Sequence, residues 1–215
     1  MARIGRAVSA RLEAHPRIQK IESSNPLAPA QIYVYQDFLS AAECADLVAK
    51  IDAGATPSIL YKGKNTDGFR TSYSCNLDRW DAEVMRIDDR LCGLMGLDPR
   101  QGETLQGQRY QPGQYFNAHH DFFHTDQPYW QLEKPYGGQR CWTAMIFLNE
   151  PGAGGETEFP HLGFKMLPRT GMAMIWNNMG EDGAPNYGTL HSGNPVDKGT
   201  KYIVTKWFRE GHWMK

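Results

Sequence analysis

Hydrophobic and polar positions follow a helical period in the first half of the chain. In SAAECADLVAKI, which begins at Ser40, apolar residues recur every three or four positions, and Glu43 lies three residues after Ser40. This combination predicts an amphipathic helix that begins with a capping box. A second helix is predicted from about Trp80 to Met95, with Gly96 as its end.

The second half of the chain has the alternation and the short apolar runs that are typical of β-strands. Turn clusters such as EPGAGGE and GEDGAPNYG separate these runs. Helices followed by strands predict an α+β chain, mainly β, in which helices support a β-sandwich. The predicted strands lie around Tyr110 and Phe116 and in TAMIFLN from Thr143, MAMIW from Met172 and YIVTKWF from Tyr202.

We interpret residues 1–30 as an N-terminal extension and residues 31–215 as a single domain. Ile4, Val8 and Leu12 lie one helical turn apart, which predicts a short helix that ends before Pro16 and docks on the domain. The alternative for this Arg-rich, acid-poor start is an organellar transit peptide. A chain of 215 residues with 40% hydrophobic content can bury one sizeable core, so a second domain is not expected.

Charge and cysteine content narrow the class of protein. The 23 Lys and Arg residues nearly balance the 24 Asp and Glu residues, so the chain lacks the basic excess that nucleic-acid binding requires. No apolar run reaches the length of a membrane span, and the start lacks the apolar segment of a secretory signal. These features predict a cytoplasmic protein without a nucleic-acid or membrane partner.

Four scattered cysteines without C-x-x-C spacing are expected to be buried thiols: Cys44, Cys75, Cys92 and Cys141.

The stretch YQPGQYFNAHHDFF, residues 110–123, contains a candidate metal site. If it is extended, His119 and Asp121 point to one side and His120 points to the other, because side chains alternate along a strand. A second imidazole would complete the two-His, one-carboxylate triad that holds Fe(II) and leaves coordination positions open. His191 is the candidate for this third ligand.

The stretch HSGNPVDKGTKYIVTKWF, residues 191–208, supports the same interpretation. Lys201 begins an alternating run, and a lysine that opens a half-buried strand needs an anionic partner. A dicarboxylate bound to the metal by its other end would supply one, whereas a zinc hydrolase would give no reason for this lysine. Trp207 lies on the same strand face as Lys201 and is either a cavity wall or a core residue.

These two stretches and GGQRCWTAMIFLNEPGAGGETEFP, residues 137–160, resemble in order and spacing the prolyl 4-hydroxylase type of iron(II)- and 2-oxoglutarate-dependent dioxygenases. The resemblance covers the chain from about Gln31 to Trp207. It implies a double-stranded β-helix, or jelly-roll, core that is supported by the N-terminal helices and holds the metal between its sheets. It also implies Fe(II), 2-oxoglutarate and O2 as cofactors, with ascorbate as an auxiliary reductant and with succinate and carbon dioxide as products.

The resemblance further implies roles for individual residues. Lys201 would bind the distal carboxylate of 2-oxoglutarate, and Tyr110 and Thr143 would offer a phenol and a hydroxyl to the same group, although both are also ordinary strand residues. The GAGGET segment matches a turn of the family, and Thr157 and Phe159 after it would line the cavity. The implied iron ligands are His119, Asp121 and His191.

The implied reaction is hydroxylation of a prolyl residue in a peptide or protein. Arg70 in RTSYS resembles a substrate-loop arginine, with an ordinary surface arginine as the alternative. Tyr129 and Trp130 lie in the long segment 124–140, which is predicted to form a rim or lid and to contact substrate together with Trp207. The alternative functions are the same chemistry on a free amino acid, another side chain or a small molecule, and a non-catalytic peptide-binding module of the same fold.

Overall fold

A computed structural model of the chain describes residues 2–22, 25, 30–59 and 68–214. The helices are α1 Ala2–Glu13, α2 Ala41–Gly54, α3 Ala82–Met95 and α4 Trp130–Glu133. The first strands are β1 Ile18–Ile21, β2 Ile32–Tyr35, β3 Thr56–Pro57, β4 Tyr73–Asn76, β5 Gln106–Tyr110, β6 Phe116–His119 and β7 Arg140–Phe147. The remaining strands are β8 Ala153–Gly154, β9 Thr157–Phe159, β10 Phe164–Met166, β11 Ala173–Asn177, β12 His191–Gly193, β13 Val196–Lys198 and β14 Lys201–Arg209.

The strands form two main antiparallel sheets. The larger sheet has the order β1-β2-β11-β7-β14-β5-β4-β3, and the smaller sheet has the order β10-β9-β12-β6. Several neighbouring strands, such as β2 and β11 or β12 and β6, are distant in the chain, as expected when strands cross between the two layers of a jelly roll. The predicted fold, mainly β with a helix-supported jelly roll, is therefore confirmed.

The alternation of side chains in the larger sheet divides the core into two layers. One layer packs against the helices and includes Leu47 of α2, Leu91 of α3 and Val204 of β14. The other layer lies between the sheets, where Met145 and Trp176 of the larger sheet belong to the same apolar cluster as residues of the smaller sheet. The candidate metal ligands face this inter-sheet layer.

Helix α2 begins as the sequence predicts. The Ser40 hydroxyl accepts a hydrogen bond from the Glu43 N–H, and the Glu43 carboxylate accepts one from the Ser40 N–H. Cys44, Leu47 and Ile51 form its buried face. The capping box and the apolar stripe thus fix both the start of α2 and the side that packs on the sheet.

Helix α3 starts two residues later than predicted. The Asp81 side chain accepts hydrogen bonds from the N–H groups of Glu83 and Val84, so Asp81 is the N-cap and Trp80 lies outside the helix, 75% exposed. The helix ends, as predicted, at Gly96, which adopts the left-handed conformation with φ of 68°.

The N-terminal segment contributes a helix and a strand. Val8 and Leu12 of α1 are buried. Strand β1, which the sequence analysis did not predict, pairs with β2 at the edge of the larger sheet. The segment IQKI is too short and too polar to indicate a strand without its partner. None of the helices in the described ranges has the length and apolar character needed to cross a bilayer.

A buried group of charges connects α4 to the end of β14. Glu103 accepts hydrogen bonds from Arg140 at 2.6 and 2.7 Å and from Arg209 at 2.5 Å. Arg209 is 1% exposed and also donates to Glu133 of α4 at 2.6 Å. Since a buried charge that loses its partner is costly, Glu103 is the anion on which two guanidinium groups depend.

Replacing Glu103 by Gln keeps the shape of the side chain but removes its charge. We expect the free energy of unfolding to fall by about 3 kcal/mol, because the buried Arg209 and the partly buried Arg140 lose their shared anion. Urea denaturation measures this change. In the matched control Glu150→Gln, the partner Arg169 is exposed, so the free energy of unfolding should change by about 0.5 kcal/mol or less. Equal effects of the two substitutions would contradict the role of Glu103.

Candidate metal centre and cavity

The pairing of β12 with β6 brings the candidate ligands together. His191 at the start of β12 lies directly opposite His119 at the end of β6. Asp121 follows two residues after His119, and its Oδ1 lies 3.9 Å from His119 Nε2 while its Oδ2 lies 3.7 Å from His191 Nε2. The ligand atoms of the three residues are within 4.8 Å of one another. This spacing fits a single cation between them.

Backbone carbonyls orient both imidazole rings. His119 Nδ1 lies 2.8 Å from the Asn117 carbonyl oxygen, and His191 Nδ1 lies 2.9 Å from the Thr189 carbonyl oxygen. Because a carbonyl only accepts, each Nδ1 carries the hydrogen and each Nε2 presents a lone pair. Metal-binding histidines in proteins are held in this way.

The charge states of the ligands also suit a divalent cation. Burial lowers the pKa of His119 to about 3, and the neighbouring His191 acts in the same direction, so His119 is neutral. Burial opposes ionisation of Asp121, but the surrounding imidazoles, the Arg140 guanidinium and the hydrogen bond from Thr143 together hold the pKa of this carboxyl below its ordinary value. Two imidazoles and one carboxylate are the donor set of the facial iron triad.

His120 lies on the opposite side of the strand from the candidate centre, as predicted. Its ring stacks on Phe122 at 4.7 Å between centroids, and its Nε2 lies 3.3 Å from the Tyr187 carbonyl oxygen. The neighbouring histidine is thus available as a control for the candidate ligand His119.

A cavity between the sheets extends from the ligands to Lys201. Lys201 is 2% exposed, and its ammonium lies 5.4 Å from the ring centroid of Tyr110. No carboxylate in the described part of the chain forms an ion pair with it, although Glu156 is near enough to favour its charged form. Burial lowers the pKa of Lys201 to about 7. The cavity lining includes Gln108, Phe116, Met145, Thr157, Trp176, Ile203, Thr205 and Trp207.

Several buried donors in this cavity have no acceptor. The Thr157 hydroxyl and the indole N–H groups of Trp176 and Trp207 have no hydrogen-bond partner among the described residues. An unpaired buried donor is costly, and such groups usually mark the position of a ligand or water. Together with Lys201, these donors fit a ligand rich in acceptor oxygens. A small dicarboxylate such as 2-oxoglutarate meets this requirement.

The expected role of Thr143 at the Lys201 end of the cavity is wrong. Thr143 pairs with Trp207, six residues from Lys201 along β14, which corresponds to about 20 Å of strand. Its hydroxyl instead donates to Asp121 Oδ2 at 2.7 Å. Thr157, unlike Thr143, lines the cavity together with Lys201.

Tyr110 lies beside Lys201, but its phenol already has a partner. The Tyr110 hydroxyl donates to Gln108 Oε1 at 2.8 Å, and Gln108 Nε2 donates to the Thr205 hydroxyl at 3.1 Å. Gln108 was not identified from the sequence, although its position two residues before Tyr110 puts it on the same strand face. A direct contact between Tyr110 and 2-oxoglutarate stays a prediction.

The candidate substrate residues lie at different distances from the centre. The Arg70 guanidinium lies 4.8 Å from the ring centroid of Phe116, which stacks on His119 at 3.7 Å. Trp207 lines the cavity itself. Tyr129 and Trp130 pack against Phe123, at 6.0 and 6.3 Å between ring centroids, outside the described cavity lining. Their contact with substrate stays a prediction.

Comparisons with known proteins agree with this geometry. A family model of the 2OG-Fe(II) oxygenase superfamily matches residues 105–209. The chain is 31% identical over 204 residues to the probable prolyl 4-hydroxylase 8 of Arabidopsis thaliana, covering 82% of this chain and 67% of the relative. It is 30% identical over 219 residues to prolyl 4-hydroxylase 2 of the same plant, covering 90% of this chain and 70% of the relative.

A solved structure shares the architecture. The viral collagen prolyl hydroxylase of Paramecium Bursaria Chlorella virus-1, determined as its 2OG complex, superposes with a TM-score of 0.62 at 26% identity. The superposition covers 92% of this chain and 97% of the viral chain. The similarity therefore extends over nearly the whole length of both chains.

Replacing His119 or His191 by Ala removes one of the three ligands. We expect the affinity of the purified protein for Mn2+, used as an oxygen-stable probe, to fall on the order of 100-fold or more in titration calorimetry. The control is His120→Ala, which removes an adjacent imidazole that points away, and it should retain the Mn2+ affinity of the unchanged protein. Unchanged Mn2+ binding by His119→Ala would reject the site.

Proposed function

This chain belongs to the prolyl 4-hydroxylase family within the 2OG-Fe(II) oxygenase superfamily, and on that basis we propose that it hydroxylates a prolyl residue of a peptide or protein. It is a 2-oxoglutarate-dependent dioxygenase that uses Fe(II), 2-oxoglutarate and O2. The single observation that carries the proposal is the His119, Asp121 and His191 triad at one end of a cavity whose other end contains a buried lysine without an ion-pair partner among the described residues.

Different residues would bind the metal and 2-oxoglutarate. His119, Asp121 and His191 would hold Fe(II), whose bound chemistry couples the oxidative decarboxylation of 2-oxoglutarate to hydroxylation of a C–H bond. Three protein ligands leave three positions for the other reactants. Lys201 would pair with the distal carboxylate of 2-oxoglutarate, and the free hydroxyl of Thr157 would donate to it.

The walls of the cavity would keep bulk water away from the reaction. Phe159 is fully buried and stacks on His191 at 5.4 Å, and Trp176 packs edge-on against the same imidazole at 4.9 Å. Met145 and Ile203 add apolar surface to the lining. A dry cavity favours attack on the bound substrate over side reactions with solvent.

A prolyl substrate is supported by the relatives and by the surface near the metal end. The relatives in Arabidopsis thaliana are named prolyl 4-hydroxylases, and the viral protein is a collagen prolyl hydroxylase. In this chain, Trp207 and Phe116 line the cavity, and the cation of Arg70 lies over Phe116. Flat aromatic surfaces suit a prolyl ring, and a guanidinium suits the carbonyl oxygens of a peptide.

We also infer that the protein works in the cytoplasm. All four cysteines are free, and three of them, Cys44, Cys92 and Cys141, are buried in the core. Burial raises the pKa of Cys92 and of Cys141 to about 12, which keeps both thiols protonated and unreactive. Fractionation of source cells, followed by detection of the chain, tests this location.

Binding of 2-oxoglutarate should take up a proton through Lys201. With a pKa of about 7, this lysine is largely neutral at about pH 8, and pairing with a carboxylate restores its charge. We expect uptake of about 0.9 proton per molecule at that pH, measured on Mn2+-loaded protein by calorimetry in buffers of different ionisation enthalpy. Affinity should therefore weaken as the pH rises above about 7.

Two variants test the assignment of this proton to Lys201. Lys201→Arg keeps a cation that does not titrate, so it should bind 2-oxoglutarate without proton uptake. Lys201→Ala should bind it much more weakly, because no other lysine or arginine of the described residues lines the cavity to pair with the carboxylate. Equal proton uptake by Lys201→Arg and by the unchanged protein would assign the proton elsewhere.

The substrate class is tested by following oxygen into a product. Proline-containing peptides are incubated with the enzyme, Fe(II), 2-oxoglutarate and ascorbate in air, and succinate and peptide masses are measured. We expect one oxygen atom to be added to proline, with a matching amount of succinate, and neither product with Asp121→Ala. Succinate that forms with a free amino acid or a small molecule, while no peptide gains mass, would contradict a peptide substrate.

A further inference from the structure

Two buried side chains form a hydrogen-bonded chain that ends on the candidate iron ligand Asp121. Thr143 donates its hydroxyl hydrogen to Asp121 Oδ2 at 2.7 Å, and Asn178 Nδ2 donates to Thr143 Oγ1 at 2.8 Å. Thr143 and Asn178 are both 0% exposed. Neither residue is part of the cavity lining, so neither is placed to contact 2-oxoglutarate or substrate directly.

The direction of both hydrogen bonds follows from the chemistry of the three groups. An ionised carboxylate only accepts, so the single hydrogen of the Thr143 hydroxyl must point to Asp121. The Thr143 oxygen is then left as an acceptor, and Asn178 must present its amide nitrogen rather than its oxygen. The chain therefore runs one way, from amide to hydroxyl to carboxylate.

The backbone holds Asn178 in place. Its N–H donates to the Cys141 carbonyl at 2.8 Å, and its own carbonyl accepts from the Asn186 N–H at 2.9 Å. In this orientation Asn178 Oδ1 is buried and has no partner among the described residues. An unpaired buried acceptor is costly, so presenting the amide nitrogen to Thr143 comes at the expense of local stability. Such a cost is expected where a polar group serves a site.

We propose that Thr143 and Asn178 are positioning residues that hold Asp121 through Oδ2 and leave Oδ1 free for the metal. The inference rests on the proposed function, because it takes the triad to be the iron site. A carboxylate held through one oxygen offers the metal a single donor. If it turned to offer both oxygens, it would occupy a coordination position that the reaction needs for 2-oxoglutarate or O2.

The test compares Thr143→Val, which removes the hydroxyl but keeps the shape, with Thr143→Ser, which keeps the hydroxyl. We expect Thr143→Val to weaken Mn2+ binding on the order of tenfold in calorimetry, and Thr143→Ser to restore most of the loss. Asn178→Leu should weaken it less, because Thr143 can still donate. The double variant should equal Thr143→Val, since Asn178 acts only through the hydroxyl.

The controls separate positioning from general damage. Ser9→Ala removes the hydroxyl of a buried serine in α1, which hydrogen-bonds to the Gly5 carbonyl at 2.9 Å and is not part of the cavity lining, and it should leave Mn2+ affinity unchanged. Melting temperatures of the metal-free variants show whether each one folds. Equal losses of Mn2+ affinity in Thr143→Val and Thr143→Ser, or additive losses in the double variant, would overturn the proposal.

Failure of this inference is distinct from failure of the proposed function. If His119→Ala abolishes Mn2+ binding while folded Thr143→Val binds as tightly as the unchanged protein, the metal site stands and the positioning chain is rejected. If His119→Ala still binds Mn2+, the metal site itself is rejected, and the positioning chain is rejected with it.

Discussion

The antiparallel pairing of β12 with β6 is the constraint on which the candidate site depends. It places His191 opposite His119, although 71 residues separate them in the sequence. Strand register has a period of two, so a shift of one residue would turn His120 inward and His119 outward. The two imidazoles are in contact across the strands, with ring centroids 4.3 Å apart, and Phe116 and Phe159 pack against them. The metal centre is therefore a property of the sheet rather than of a local motif.

The cavity beyond the ligands contains donors that the protein does not satisfy by itself. The lysine, the threonine and the two tryptophans that line it have an ammonium, a hydroxyl and two indole N–H groups that are buried without acceptors in the described chain. Such an arrangement lowers the stability of the ligand-free protein, and a ligand that binds only the folded state offsets that loss. Specificity for an acid with several oxygens follows, because an apolar molecule of the same size would leave every donor unpaired.

The sequence predicts features that depend on neighbouring residues and misses those that depend on packing. The capping box at Ser40 and the end of α3 at Gly96 are local, so the pattern of residues indicates both. The alternation around His119 and Asp121 predicts their shared side for the same reason. Strand β1 was missed because IQKI becomes a strand only when β2 is beside it.

The position of Thr143 could not be predicted from the alternation of side chains along the strand. Its inward direction follows from the pattern of β7, but its level along the cavity depends on the register between β7 and β14, which no local pattern records. That register puts Thr143 beside the carboxylate of Asp121 and far from Lys201. Asn178 and Gln108 were not predicted for a related reason, since the sequence does not indicate the hydrogen-bond partner of an isolated amide side chain.

Strand β14 contains two buried lysines whose surroundings can be compared. Lys201 and Lys206 are both almost fully buried, at 2% and 0% exposed, and they face opposite sides of the same strand. On the helix side, the fold supplies an acid for Lys206, because Asp88 of α3 lies 2.5 Å from its ammonium. On the cavity side, no described carboxylate pairs with Lys201. The fold therefore supplies an anion for Lys206 but not for Lys201. The anion that pairs with Lys201 is then expected to come from a ligand.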